Sequence, residues 1–376
     1  MSQTTVPIAI SDPVNHRILE VSEDKVRGFQ RDPFAEISRL SGVDTAVVIE
    51  RIRAMLAAGV IRRVRQTLLA NNLAPGALVA WKVLDEKLTA GFEFLLQNDP
   101  FSGHIVIRTT DVVVPGCDYK LWTTLKVPQG YSVQKHCEFL KQRLDATAFH
   151  LMPAKRMFAL GVGHMRRRGI KPGDKGDTPA EPIEFDVVRL SEAEWRVLIA
   201  LKREFTPEEL GRNLWDARAK EAGVPLEEFF EIAEDFSHRK LIGRFSTFLE
   251  HVKPLASGEK VTGFNGLFHW AVPAGRELEA GAEVGRFHAL THAYWRDAGP
   301  DFANVNIMAV AHAPDKATVL AHKAAIDAHL KQCGIPVSFS AVYWGGRSEI
   351  KPSEISPFAY RDWCKSMGLD PEVMRE

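Results

Sequence analysis

The chain repeats itself, and no other feature limits its possible folds so severely. Gly42-Val43 through Val60-Ile61-Arg62-Arg63 aligns without a gap on Gly223-Val224 through Leu241-Ile242-Gly243-Arg244, an offset of 181 residues. Further on, Ala80-Trp81-Lys82-Val83 answers His269-Trp270-Ala271-Val272, and Tyr119-Lys120-Leu121 with Pro128 answers Val305-Asn306-Ile307 with Pro314. The offset there drifts only to between 186 and 189, as insertions in surface loops would make it. Any acceptable fold must therefore place one two-part unit twice within 376 residues.

The first part of each unit reads as compact and helical. Pro33-Phe34-Ala35-Glu36-Ile37 opens a short helix, Gly42 breaks it, and Asp44 is placed to cap a helix reaching Ala58. Val48, Ile52, Met55 and Leu56 then form one apolar stripe. Gly59 ends that helix, and Val60 to Leu69 reads as the first strand of a wing after a helix-turn-helix.

The second part alternates strands and helices. In the first copy these are strands Ala77–Val83, His104–Arg108, Leu121–Val127 and Met157–Val162, with helices near Glu86–Gln97 and Val133–Leu144. In the second copy the strands are Gly266–Val272, His288–Tyr294, Val305–Ala311 and Val337–Tyr343, with helices near Glu277–Val284 and Lys316–Cys333. That order is βαββαβ, a ferredoxin-like sandwich. The fold class expected is α+β: a tandem repeat of winged helix-turn-helix plus ferredoxin-like domain. The expected boundaries are 1–70 for the first winged helix, 74–165 for the first sandwich, 166–184 for a linker, 185–255 and 260–350 for the second pair, and 351–376 for a tail. Arg166 to Pro182, with three arginines followed by Gly, Pro, Asp and Lys, reads as solvated linker.

Forty-eight basic and 48 acidic residues cancel, so no global field draws the chain to nucleic acid or an anionic membrane, and any cationic site is local. Cys117, Cys137, Cys333 and Cys364 are scattered and form no zinc-type cluster, which reads as reduced thiols. The N-terminal residues lack a leader pattern and no apolar run approaches a membrane span, so the cytoplasm is expected.

Chemistry gathers in the second copy between Thr291 and His312. His292, Tyr294 and Arg296 fall on alternate strand positions, hence on one face, and the next strand adds Asn306 and His312. Such a group suits an anionic, ring-shaped ligand better than a core. A lone histidine in a sheet is more often structural, and His269 and His288 are read that way first, with His269 kept as a candidate.

These residues carry a resemblance. A winged helix followed by βαββαβ resembles the Lrp/AsnC architecture, and the second copy resembles the siroheme decarboxylase subfamily, which serves heme d1 formation and the alternative heme route. Family members carry H-C-Y-x-R, then W-P-Y-N-L-x-x-M-x-H-G. Here stand His292-Ala293-Tyr294-Trp295-Arg296, Val305-Asn306-Ile307 and Ala311-His312. Gly243-Arg244-Phe245 with His251 resembles the family's wing, and Glu349-Ile350-Lys351 its E-L-K ending. Ala293 and Val305 depart from the pattern. In the first copy Arg108 is aligned with His292, and Lys120 and Lys126 with Asn306 and His312, so chemistry is expected in the C-terminal copy and carboxylate holding in the N-terminal one.

The resemblance implies decarboxylation of siroheme acetate arms, an iron tetrapyrrole as substrate, no required cofactor, and units that elsewhere are separate subunits but here form an intramolecular pseudo-dimer, with a further homodimer open. Siroheme's eight carboxylates need fixed cations, for which Arg65, Arg108, Lys120, Lys126, Arg244 and Arg296 are candidates, with His251, His269 and Asn306 also in the binding set. Trp81, Trp122, Trp270 and Trp295 could form an apolar floor. His292 is the expected proton donor, with Tyr294 and His312 shaping the pocket; His292 or His312 could instead ligate the substrate's iron. Two other readings stand beside this one. A ligand-responsive transcription regulator is disfavoured because the helix from Pro225 to His238 carries Glu227, Glu228, Glu231, Glu234 and Asp235, which repel phosphate, so DNA is not an expected partner. A non-catalytic tetrapyrrole-binding protein gains weight from Ala293 and Val305.

Overall fold

The computed structural model describes residues 6–69, 72–74, 76–160, 169–184, 188–249 and 263–376. Among them eleven strands run in chain order: β1 Ile61–Leu68, β2 Gly76–Lys82, β3 Ser102–Thr109, β4 Leu121–Lys126, β5 Ala148–Pro153, β6 Arg156–Leu160, β7 Ile242–Leu249, β8 Phe264–Ala271, β9 Leu290–Trp295, β10 Ile307–Ala313 and β11 Phe339–Ile350. The chain divides into two compact units, and each gathers material from both repeats.

The first unit holds residues 6–69 and 188–249. The short signals at Gly42 and Asp44 act as read: Gly42 closes Pro33–Ser41 at φ 67°, and Asp44 accepts from the Ala46 and Val47 amides to start Thr45–Ala57, while Asp32 caps the first of these helices. The same 13-residue helix recurs as Leu226–His238, 181 residues later. Phe34, Phe205, Trp215, Phe229 and Phe245 interlock in its core. The expected wing differs. β1 pairs antiparallel with β7, its own counterpart in the other repeat, with Val64 opposite Thr247 and Arg65 opposite Ser246. Each repeat thus contributes one strand to a shared ribbon, and the two strands satisfy their backbone groups on each other.

The second unit is a mixed α/β body around a nine-stranded sheet of order β5-β2-β4-β3-β11-β8-β10-β9-β6. The order β5-β2-β4-β3 is repeated as β11-β8-β10-β9, so two half-sheets of identical order join where β3 pairs with β11. The closing strand of the first half is β5, not the stretch from Met157: β5 pairs with β2, whereas β6 crosses to pair with β9 of the second half. Only Ala154 and Lys155 separate β5 from β6, and the Lys155 amide donates to the Trp295 carbonyl at 2.9 Å, so the two ends of the sheet order come together.

Strand alternation divides the side chains of this unit between two environments. One face of the first half packs under its helices through Trp81, Leu121 and Leu125, joined by Tyr360 and Trp363 of the last helix, Pro357–Ser366. One face of the second packs likewise through Phe268, Trp270 and Ala309. The other faces share an inner layer: Ala80, Val106, Trp122 and Met152 from the first half meet Leu267, Phe302, Met308 and Tyr343 from the second. The described part of the expected solvated linker, 169–184, is mostly exposed but docked, with Gly176 and Ala180 donating to the carbonyls of Arg286 and Ala282. No described helix is long and apolar enough to cross a membrane, and all four cysteines are free.

Candidate functional site

β9 presents His292 and Tyr294 on the inner face, and Arg296 follows directly after the strand in the same alternation, because Ala293 and Trp295 between them face the helix-side core. The His292 and Tyr294 rings lie nearly parallel, 8° apart with centroids 6.1 Å from each other. The Arg296 guanidinium sits over the Tyr294 ring at 4.4 Å and donates through Nη1 to the Met152 carbonyl of β5 at 2.5 Å. Burial raises the Tyr294 hydroxyl above its ordinary pKa and lowers the Arg296 guanidinium. Lys126 comes from β4, in the other half. Burial first, and then the charge of Arg296, brings its ammonium down to about 7. Its Nζ folds over Gly76, where a Cβ would come within 2.6 Å, so the lysine keeps this position because residue 76 has no side chain. Among the described residues no carboxylate pairs with either cation. Across β9 and β10, Val310 stands opposite His292 and Met308 opposite Tyr294, which leaves His312 diagonal to His292 on the same face.

Backbone hydrogen bonds settle which residues of the halves correspond. The Arg296 amide donates to the Asn306 carbonyl at 3.0 Å, and the Arg108 amide to the Lys120 carbonyl at 2.8 Å. Thr124 stands opposite His104, and Trp122 opposite Val106. The counterpart of Arg296 is therefore Arg108, that of Tyr294 is Val106, and that of His292 is His104. This corrects the alignment of Arg108 with His292. The sequence signal was available: the 188-residue offset lies within the 186–189 found nearby, but no identical neighbours flank His104. The correspondence extends to the acceptors, since Arg108 Nη1 donates to the Tyr343 carbonyl of β11 at 3.2 Å, and Tyr343 and Met152 occupy matching positions on the closing strands.

The other candidates are placed as follows. Lys120 is on the surface, ion-paired with Asp85 at 2.5 Å. Asn306 uses its amide as a bracket, accepting from the Val272 amide and donating to the Val272 carbonyl, both at 2.9 Å. His269 is fully buried between Trp122 and Tyr343. Arg65 and Arg244 lie on β1 and β7 of the first unit, Arg65 against Phe248 at 5.4 Å; burial lowers both guanidinium pKa values. His251 falls outside the described residues. Of the expected apolar floor, Trp81 and Trp270 belong to the helix-side cores, Trp122 to the inner layer, and Trp295 carries the Lys155 ammonium at 4.9 Å.

Residues 74–159 match the AsnC-like ligand binding domain. The chain is 26% identical over 163 residues to the siroheme decarboxylase alpha subunit of Desulfovibrio desulfuricans, across 43% of this chain and 87% of that one. Among solved structures, the siroheme decarboxylase NirDL superposes with a TM-score of 0.64 at 18% identity, covering 94% of this chain and 99% of that chain. The fold is that of the siroheme decarboxylases. The resemblance carried by His292, Tyr294, Arg296 and His312 thus meets a match in architecture that runs nearly the length of the chain. NirDL in complex with an iron-uroporphyrin III analogue superposes equally well, with a TM-score of 0.64. On this siroheme decarboxylase fold, the present chain holds an arginine at matching positions in both halves but the His-x-Tyr-x-Arg series in only the second.

Proposed function

We propose that this chain decarboxylates siroheme, removing acetate carboxyl groups without a redox cofactor. The observation that supports this most directly is the pair Arg296 and Lys126: two enclosed cations, one from each half, with Lys126 in the electrostatic reach of Arg296 and no carboxylate among the described residues to balance them. Like charges withdrawn from water are unfavourable until an anion joins them. An acetate arm supplies it.

With the carboxylate held by Arg296 and Lys126, the bond from methylene to carboxyl carbon breaks and CO2 departs. The electron pair passes into the attached pyrrole, whose charge the same cations offset. His292 then delivers a proton to the methylene carbon, which becomes a methyl group, and Tyr294 and His312 shape the pocket around that transfer. Bonds and electrons balance without an external oxidant or reductant. The iron belongs to the substrate.

On this reading the chain is a tandem of winged helix-turn-helix and ferredoxin-like AsnC-type domains, an intramolecular pseudo-dimer that unites on one polypeptide what the alpha subunit of the Desulfovibrio relative implies is divided elsewhere. Anaerobic incubation with siroheme and mass analysis tests the activity: loss of one or two CO2 units is expected, and tight binding with unchanged mass sinks it. His292→Ala is expected to reduce turnover about 10²–10⁴-fold while changing binding little; undiminished turnover removes His292 from the role.

A further inference from the structure

Among the described residues, five lysines and arginines are less than a tenth exposed: Arg63, Arg108, Arg218, Arg296 and Lys323. Three follow the usual rule that a buried charge has a counter-charge. Arg218 pairs with Glu209 at 2.9 Å, Lys323 with Asp327 at 2.7 Å and Arg63 with Glu204 at 3.3 Å. The other two are the matching arginines of the two half-sheets. Arg296 belongs to the site already described, which leaves Arg108 unexplained.

Arg108 is 4% exposed, and its only described partners are neutral: the Tyr343 carbonyl at 3.2 Å and Asn265 Oδ1 at 3.4 Å. Its buried Nε has no acceptor. Burial alone brings the guanidinium down to about 9. Beside it His269 is completely buried, and neither ring nitrogen has a partner. Burial and the Arg108 charge hold it neutral, at about 3. The polar atoms nearby are already engaged: Trp122 Nε1 donates to the Tyr119 carbonyl at 2.6 Å, and the Tyr343 hydroxyl to the Pro115 carbonyl at 2.5 Å. A neutral imidazole without a donor or acceptor, next to a guanidinium with a free N–H, leaves two unmade sets of hydrogen bonds in one place, each expensive.

We propose that Arg108 and His269 form a second anion site, in the inner layer of the sheet, that takes a carboxylate. One carboxylate oxygen accepts from Arg108 Nε–H, another from the protonated nitrogen of His269, and the negative charge neutralises the guanidinium. Three strands separate β11, on which Arg108 anchors, from β5, on which Arg296 anchors, so the two sites are distinct positions in the sheet. The site requires no reaction and stands apart from decarboxylation. Its carboxylate comes from a free small acid or from an arm of a tetrapyrrole.

Thermal unfolding in formate, against chloride at equal ionic strength, reads the site directly. Formate at about ten times its dissociation constant is expected to raise the melting temperature by about 2–4 °C. In an Arg296→Met background, which removes the anion site already described, Arg108→Met and His269→Phe are expected to abolish the remaining rise, and His292→Ala to keep it. Competition between formate and iron-uroporphyrin III assigns the carboxylate to a tetrapyrrole arm; independence assigns it to a free acid. No formate-specific rise in the Arg296→Met background, or one that persists there when Arg108→Met is added, overturns the proposal. Because removing Arg108 or His269 can impair folding, wild-type crystals soaked in bromide give a second reading: an anomalous peak within hydrogen-bonding reach of Arg108 Nε is expected, and water alone there overturns the site. Decarboxylation by the same preparation is measured separately, so failure of one claim leaves the other standing.

Discussion

Lys126 and His269 are bases whose charged form burial disfavours, and each leaves its own mark on stability. The ammonium of Lys126 falls from an ordinary 10.5 to about 7. Between those values the unfolded chain binds more protons than the folded one, so the Lys126 contribution to stability rises with pH across that window. Lys126→Met is expected to flatten that rise in urea unfolding measured from pH about 7 to about 10; an unchanged slope would show that the ammonium is well solvated. His269 shifts the same way, from 6.5 to about 3, so its contribution is lost as pH falls from 6.5 toward 3, where only the unfolded chain takes up the proton. His269→Phe is expected to lessen acid sensitivity in that range, measured by the same unfolding method. Neither mark was visible in the sequence. The spacing of His292, Tyr294 and Arg296 revealed a shared face, whereas the enclosure of Lys126 depends on Gly76 from another strand and on Arg296 from another half.

At the scale of elements, glycine decides how closely helices approach the sheet. The helix Glu277–Gly285 passes β6 through Gly281 and Gly285, and a Cβ on Gly281 would fall 2.1 Å from the Phe158 ring. Alanine is the better helix former by about 1 kcal/mol. Overpacking nevertheless wins here, and Gly281→Ala is expected to destabilise the protein by about 1–3 kcal/mol in denaturant unfolding; a gain in stability would contradict the close packing. Elements written in local signals were legible, among them Asp44 as cap, Gly42 as stop and the helix Val133–Arg143. Pairings were not. Nothing local distinguishes a β1 that forms its own hairpin from one that joins β7, or tells that β6 abandons the first half for β9, because a strand's partner is chosen by distant burial and register.

Across the whole molecule, the repeat was legible because duplicated residues remain at nearly constant offsets, while the site's composition was not. The sequence placed the chemistry in the second copy, yet the group around Arg296 borrows Lys126 and the Met152 carbonyl from the first, and Arg108 borrows Asn265 and Tyr343 from the second. Such borrowing predicts that residues 1–165 and 183–376, produced as two polypeptides, associate one to one, and that neither alone decarboxylates siroheme. Co-purification and the mass assay check both; activity in the isolated C-terminal piece would refute the shared site.

Matching positions on a single polypeptide also have a genetic meaning. In a dimer of identical subunits, every substitution strikes both symmetric sites at once, so a change that improves one is imposed on the other. Here Val106 stands where Tyr294 stands, and Gly76 where Asn265 stands. Each codon belongs to one site only, and the two arginine positions have been free to inherit different neighbours.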